Sequence, residues 1–172
     1  PIIHKAFQPV SYKNKDIPLS NLLKKGTSIS IRIDKSDYQL HIYTSDTLVK
    51  SYPIVLGGNP IDDKLREGDQ CTPEGNFKMR SKYPHKSWSK FIWINYPTAD
   101  SWKKHNKAKK EGRIPKNASI GGQIGIHGVP QGTDYMINAG VNWTLGCISL
   151  TRKDINEIYP FVTRQTPINI QK

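Results

Sequence analysis

Apolar and polar residues alternate along the early part of the chain. Ile29, Ile31 and Ile33 are separated by polar residues, the two-residue period of a half-buried strand. Asp34-Lys35-Ser36-Asp37 then supplies turn chemistry, and Tyr38, Leu40 and Ile42 form a second alternating run. A turn at Ser45-Asp46 leads to a third run, residues 48–56, which ends at Gly57-Gly58. This succession predicts an antiparallel meander. Further on, Thr72-Pro73-Glu74-Gly75 opens a strand over 76–80, and strands are also expected over 91–95, 120–127, 148–150 and 167–170. Helical signals are fewer. Residues 98–111 read as a helix with Thr98 as its cap and Gly112 as its stop. A second helix begins at Thr151, where Thr151 and Asp154 form an approximate capping box and Ile155, Ile158 and Val162 an apolar face that Pro160 cuts short.

The pattern predicts a mainly β domain with minor α: two packed sheets, one or two helices, and a lid-like insertion over 81–117 rich in Lys, Trp and Tyr. Residues 1–27 carry Pro9 and Pro18 and show no period; they read as an extended lead-in with a short helical turn near Leu22, and 28–172 as the folded domain. At 172 residues, one domain with a real core is expected. No apolar run reaches membrane-spanning length and no signal peptide opens the chain. Since it starts at Pro1, the chain reads as a trimmed or processed form, and the missing signal leaves its destination open.

Composition sharpens the picture in one respect. The chain has 26 Lys+Arg against 14 Asp+Glu, a net charge of +12, which favours polyanionic surroundings such as nucleic acid, anionic lipid or an acidic wall polymer. Five lysines crowd one segment, Lys103, Lys104, Lys107, Lys109 and Lys110, with Trp88, Trp93 and Trp102 interleaved nearby. No nucleic-acid recognition motif accompanies them, so a solvated basic face is the plainer explanation.

The chemistry gathers in a glycine-rich frame running from Gly125-Ile126-His127-Gly128 to Thr144-Leu145-Gly146-Cys147-Ile148. A thiol that attacks carbonyls needs a base and donors for the developing oxyanion. His127, at the end of an apolar strand, is the candidate base; Cys147 is the candidate nucleophile; the backbone N–H groups of Gly146 and Cys147 are candidate oxyanion donors. The bland alternatives are a core histidine and a small buried hydrophobe. The combination of parts favours acyl transfer. Thr144 either braces the cysteine loop through its hydroxyl or fills a turn, and Trp143 either packs beneath that loop or stacks on substrate. His4 and His41 read as surface residues, and His85 and His105 as weak candidates in a basic region. No carboxylate is placed to orient His127, so a backbone carbonyl is expected there. Cys71 and Cys147 either pair or stay free, and free thiols suit a nucleophilic Cys147 better.

This frame resembles the catalytic motif of the L,D-transpeptidase (YkuD-type) family: a histidine, an interval, then Ser/Thr, any residue, Gly, Cys. Here 16 residues separate His127 from Thr144, followed by Leu145, Gly146 and Cys147. The segment Thr72-Pro73-Glu74-Gly75-Asn76-Phe77 resembles a second family feature, and the meander its first strands. Many members carry Arg or Asn where this chain has Ser149. Asn142-Trp143-Thr144-Leu145-Gly146-Cys147-Ile148-Ser149 with Lys64-Leu65-Arg66-Glu67-Gly68-Asp69 is similar to a branch with Asp-Trp-Thr-x-Gly-Cys-Ile-Ala.

The resemblance implies an L,D-transpeptidase-like β-sandwich over 28–172 and an extracytoplasmic enzyme acting on peptidoglycan stem peptides. Cys147 would form a thioester with His127 as base, and Thr144, Trp143, Gly128 and Ser149 would bind substrate or support the site. It implies no cofactor, no metal and no specific nucleic-acid partner. A same-site hydrolase, either an L,D-carboxypeptidase or an amidase releasing a wall-linked protein, shares the machinery. A non-catalytic wall-binding or nucleic-acid-binding module is the rival from a different class.

Overall fold

The computed structural model describes residues 11–172. His4 and Pro9, both considered above, lie outside the described residues. The alternating runs form the expected meander: β1 (Ser30–Asp34), β2 (Gln39–Thr44) and β3 (Thr47–Pro53). Asp34 makes the first turn by accepting from the Ser36 hydroxyl at 2.8 Å and the Asp37 N–H at 2.9 Å. Then follow β4 (Gly75–His85), β5 (Ser89–Ile94), β6 (Gly125–His127), β7 (Ile148–Ser149) and β8 (Pro167–Gln171).

The domain is mainly β with minor α, and its strands run as one eight-stranded mixed sheet in the order β3-β2-β1-β8-β4-β5-β6-β7. What alternation cannot tell is that β4 serves two halves. Its residues from Gly75 to Lys78 pair with β8, and from Met79 onward it pairs with β5 across a register shift between Met79 and Ser81. A bulge of this kind bends a strand and raises its twist. The two expected layers are therefore continuous through β4. Of these strand pairs, β1·β8 and β6·β7 are parallel and the others antiparallel.

Between the halves lies the main core. Ile31, Ile33, Leu40 and Ile42 enter it from the meander, Ile92, Ile94, Ile126 and Ile148 from the other end of the sheet. Each such side chain contributes about 1.5–3 kcal/mol on burial. Ile155, Ile158 and Val162 bring the last helix onto it.

Among the described residues four helices accompany the sheet: α1 (Leu19–Leu22), α2 (Ala99–Lys110), α3 (Tyr135–Asn138) and α4 (Arg152–Ile158). The caps are those expected. Thr98 and Ser101 make a reciprocal capping box on α2, and the Thr151 hydroxyl accepts from the Asp154 N–H at 3.1 Å on α4. Beyond α4 the chain tightens into a 3-10 turn, Tyr159–Phe161, at Pro160. α1 belongs to the packed body: Leu19 is fully buried, and its N–H bonds the Glu157 carboxylate, which also takes the Lys50 ammonium at 2.7 Å.

Four expectations change. The strand expected over 120–127 shrinks to Gly125–His127, because Gly121 and Gln123 turn left-handed (φ 81° and 58°) and end extended pairing. The strand expected over 76–80 extends to His85 as one arm of a hairpin with β5. The segment 81–117 therefore gives the site a wall rather than a lid, and its helix α2 lies over the 62–74 loop through Lys104–Asp63 (2.6 Å) and His105–Leu65 O (2.6 Å). His41, expected at the surface, is half-buried with Nδ1 2.7 Å from the Ser51 hydroxyl.

Candidate active site

Strand pairing brings His127 and Cys147 to one place. In the parallel pair β6·β7, Ile126 faces Ile148 and His127 faces Ser149. One step earlier stand Gly125 and Cys147, and the Gly125 N–H points at the Cys147 sulfur from 3.4 Å. Side chains of a strand alternate between faces. Ile126 and Ile148 go to the core, leaving the opposite face to His127. That face opens into a cleft of about 670 Å³ lined by both His127 and Cys147.

His127 is held from several sides. Its Nδ1 lies 2.7 Å from Gly128 O. A carbonyl only accepts, so Nδ1 carries the hydrogen and Nε2 keeps its lone pair. The expected backbone carbonyl is thus found. Ser149 braces the same oxygen by donating to it at 3.3 Å, while its backbone pairs with Val55 in both directions at 2.9 Å. Being fully buried, Ser149 lies below the cleft. Gly128 is fixed by its N–H to Trp88 O at 3.1 Å. Trp88 stacks on the imidazole at 4.3 Å and 20°, Phe91 lies parallel to it at 5.5 Å, and Trp143 meets it edge-on at 5.5 Å. Burial pulls His127 down to about 4; the Gly128 carbonyl opposes this and His85 adds to it. The ring is neutral across ordinary pH.

Cys147 is partly exposed on the cleft floor. Its thiol directs its hydrogen to Gln123 O at 3.5 Å; among the described residues it makes no bond to His127. Burial raises it to about 11, against a partial offset from the Gly125 N–H and Lys64. The resting pair is therefore a neutral thiol beside a neutral imidazole, not an ion pair.

Thr144 braces the loop. Its hydroxyl donates to Cys147 O at 2.6 Å and accepts from the Gly146 N–H at 3.2 Å. Of the two backbone donors expected for an oxyanion, Gly146 N–H is thus committed within the loop. Cys147 N–H has no partner among the described residues. Gly146 has φ +138°, and a Cβ there would lie 2.7 Å from Cys71 O, so the loop needs glycine. Cys71 and Cys147 are both free thiols, as preferred; Cys71 is buried under the loop and raised to about 11 by burial, with Asp69 and Asp62 adding to it. Trp143 packs on Val55, Val129 and Ile137, and its Nε1 is buried without a partner.

The cleft also holds residues that the sequence reading left out or ranked low. The β4–β5 hairpin supplies Tyr83, His85, Trp88, Phe91 and Trp93 as an aromatic wall. Its pairing of Tyr83 with Phe91 was the available signal, had β4 been read beyond Arg80. His85, read as a weak candidate, stacks on Trp88 at 4.4 Å, and its Nδ1 accepts from the Ser87 and Trp88 N–H groups at 3.1 Å. The opposite wall is the 64–70 loop. Burial would raise Asp69, yet hydrogen bonds from Arg66, Lys64, Leu65 and Cys71 outweigh it and hold the carboxylate below its usual range. Among the described residues no group of His, Cys, Asp and Glu is arranged to hold a metal ion, and no helix is long and apolar enough to cross a membrane.

The comparisons with known proteins follow the same line. The family model described as YkuD, L,D-transpeptidase catalytic domain, matches residues 28–170, and the chain belongs to this family. Among solved structures, it is similar to the helical cell shape determining protein Pgp2 from Campylobacter jejuni, with a TM-score of 0.61 and 20% identity over 90% of this chain and 54% of that one. It is also similar to Bd1075 of Bdellovibrio bacteriovorus, with a TM-score of 0.56 and 19% identity over 84% of this chain and 48% of that one. An L,D-transpeptidase from Mycobacterium smegmatis gives a TM-score of 0.55 and 14% identity over 84% and 59%. At these identities the likeness is one of fold, and the chain spans about half the length of these proteins. No curated protein sequence matches it.

Proposed function

We propose that this domain is a cysteine acyltransferase of the L,D-transpeptidase type, acting on peptidoglycan stem peptides outside the cytoplasm. The observation that carries the reading is the pair itself: Cys147 and His127 line one cleft, with Nδ1 occupied by Gly128 O and Nε2 left to accept a proton. Turning away from Gln123 O, the thiol would give its proton to Nε2 as the sulfur attacks the carbonyl carbon of the diamino acid at position three. The oxyanion would settle on the free Cys147 N–H, a donor worth about 2.7–4 kcal/mol in comparable sites. Collapse of the tetrahedral adduct expels the following D-residue, whose amine takes the proton from His127, and leaves a thioester. An incoming amine or water then loses its proton to His127 and attacks the thioester. Collapse of this second adduct breaks the carbon–sulfur bond, releases the new amide or acid, and returns the proton from His127 to the sulfur.

An amine acceptor gives a cross-link, and water gives a trimmed peptide or frees a wall-linked protein. Incubation with purified muropeptides, read by mass, tests this. Dimers indicate transfer and shortened monomers hydrolysis. Neither product, from protein with an intact thiol, refutes the proposal.

A further inference from the structure

In a protein of net charge +12, the cleft is the place where the excess fails. Two formally charged side chains line it besides the His127–Cys147 pair and His85: Lys64 and Glu67. Lys64 is buried and spent, its ammonium 2.9 Å from Asp69 and 3.0 Å from Arg66 O. Glu67 is exposed, and among the described residues its carboxylate has no ion-pair partner. Its backbone is nonetheless fixed by the N–H bond to Ser119 O at 2.8 Å. The neighbouring Arg66 turns its guanidinium to Glu67 O at 3.2 Å, and Ser149 is buried below the floor. Within this cleft the opposite wall is aromatic, with Tyr83, Trp88 and Trp93 facing inward. Such faces attract cations, and Arg80 on the rim already lies over Trp93 at 5.6 Å.

From this arrangement we infer that Glu67 is a specificity-determining residue that receives a side-chain ammonium of the substrate against the aromatic wall. The inference rests on the acyl-transfer reading, which supplies the amine-bearing stem residue, and adds the residue of this chain that receives that amine. The ammonium belongs either to the donor's third residue or to the acceptor.

Binding is measured on Cys147→Ala protein through the fluorescence of the cleft tryptophans, using a tetrapeptide with lysine at position three and its ε-acetyl counterpart. The free ammonium should bind about three- to tenfold more tightly than the acetylated form. Glu67→Gln should abolish that preference and Glu67→Lys reverse it. In Cys147 protein, Glu67 dependence of thioester formation assigns the ammonium to the donor. Dependence confined to transfer assigns it to the acceptor. Equal binding and equal turnover in wild type and Glu67→Gln overturn the inference. Glu67-dependent binding without any acylation keeps it and overturns the acyl-transfer reading instead.

Discussion

The neutral character of the Cys147–His127 pair can be read directly from rates of alkylation by iodoacetamide, with Cys71→Ala protein used so that a single thiol reports. Burial lifts Cys147 from the ordinary 9.0 to about 11. Two units mean about a hundredfold fewer thiolates than a free cysteine at any pH below 9. At pH 7.5 roughly three thiols in ten thousand are ionised. The alkylation rate should therefore climb about tenfold per pH unit from pH 6 to beyond 9, with no plateau. An imidazolium–thiolate pair behaves otherwise: it gives a flat, fast rate between the two pKa values. The same chemistry separates His127's two possible contributions. If His127 acts only as a base during attack, His127→Gln should lower acylation by a peptide donor about 10²–10⁴-fold. It should leave alkylation at pH 10, where about a tenth of the thiol is ionised without help from a base, within about threefold. A rate plateau between pH 5 and 8, or equal loss in both reactions, refutes the neutral-pair argument.

Two further outcomes follow from the same geometry. Thr144→Val keeps the shape of the side chain but strands the Gly146 N–H and the Cys147 carbonyl, so urea unfolding should show a loss of about 1–3 kcal/mol and acylation should fall with it; Thr144→Ser should restore most of both. His127 titrates near 4 in the fold against an ordinary 6.5, so the unfolded chain takes up the proton first as pH falls. Stability present above pH 6.5 should thus be lost between about 6.5 and 4 by about 3 kcal/mol and level off below, a step that His127→Gln removes from the unfolding curve.

Much of this architecture was legible because local signals and tertiary demands agree. The meander follows from strict alternation at Ile29 to Ile42, and both longer helices begin at the threonines that cap them. The pairing of candidate nucleophile and base was legible from residue types and order. The walls of the cleft were not. Ser81, where the register shifts, is polar at the position that should follow Phe77 and Met79 as the next apolar residue, and Pro84 is a poor strand former, so the alternation of β4 fades before the aromatic wall begins. The free Cys147 N–H and the committed Gly146 N–H depend on how Thr144 folds back on its own loop, a choice between hydrogen-bond partners that composition does not make. Nor does a sequence pattern say that Ser149 turns inward to Gly128 O.

The sulfur's hydrogen-bond neighbours among the described residues are the Gly125 N–H and Gln123 O, and the loop that carries it is tied to the chain leaving β3. Residues 54–59 act as a spine. On one side Val55 pairs with Ser149, Thr144 N–H reaches Leu56 O at 3.3 Å and Gly58 N–H reaches Thr144 O at 3.1 Å, while Leu56 N–H bonds the Asn142 side chain at 2.9 Å. On the other side Asn59 N–H bonds Gln70 O at 3.1 Å. At the crossing, a Cβ on Gly57 would lie 2.0 Å from Gln70 O and 3.0 Å from the Gly146 Cα, so only glycine lets the loops of Gln70 and Gly146 meet there. Backbone atoms cannot give way as side chains do. The cysteine loop and the 64–71 wall are thereby locked to one segment, and their relative position is fixed by main-chain contacts. Variation at the exposed lip, where Leu145 is 77% accessible, can then change what the cleft admits without moving the thiol.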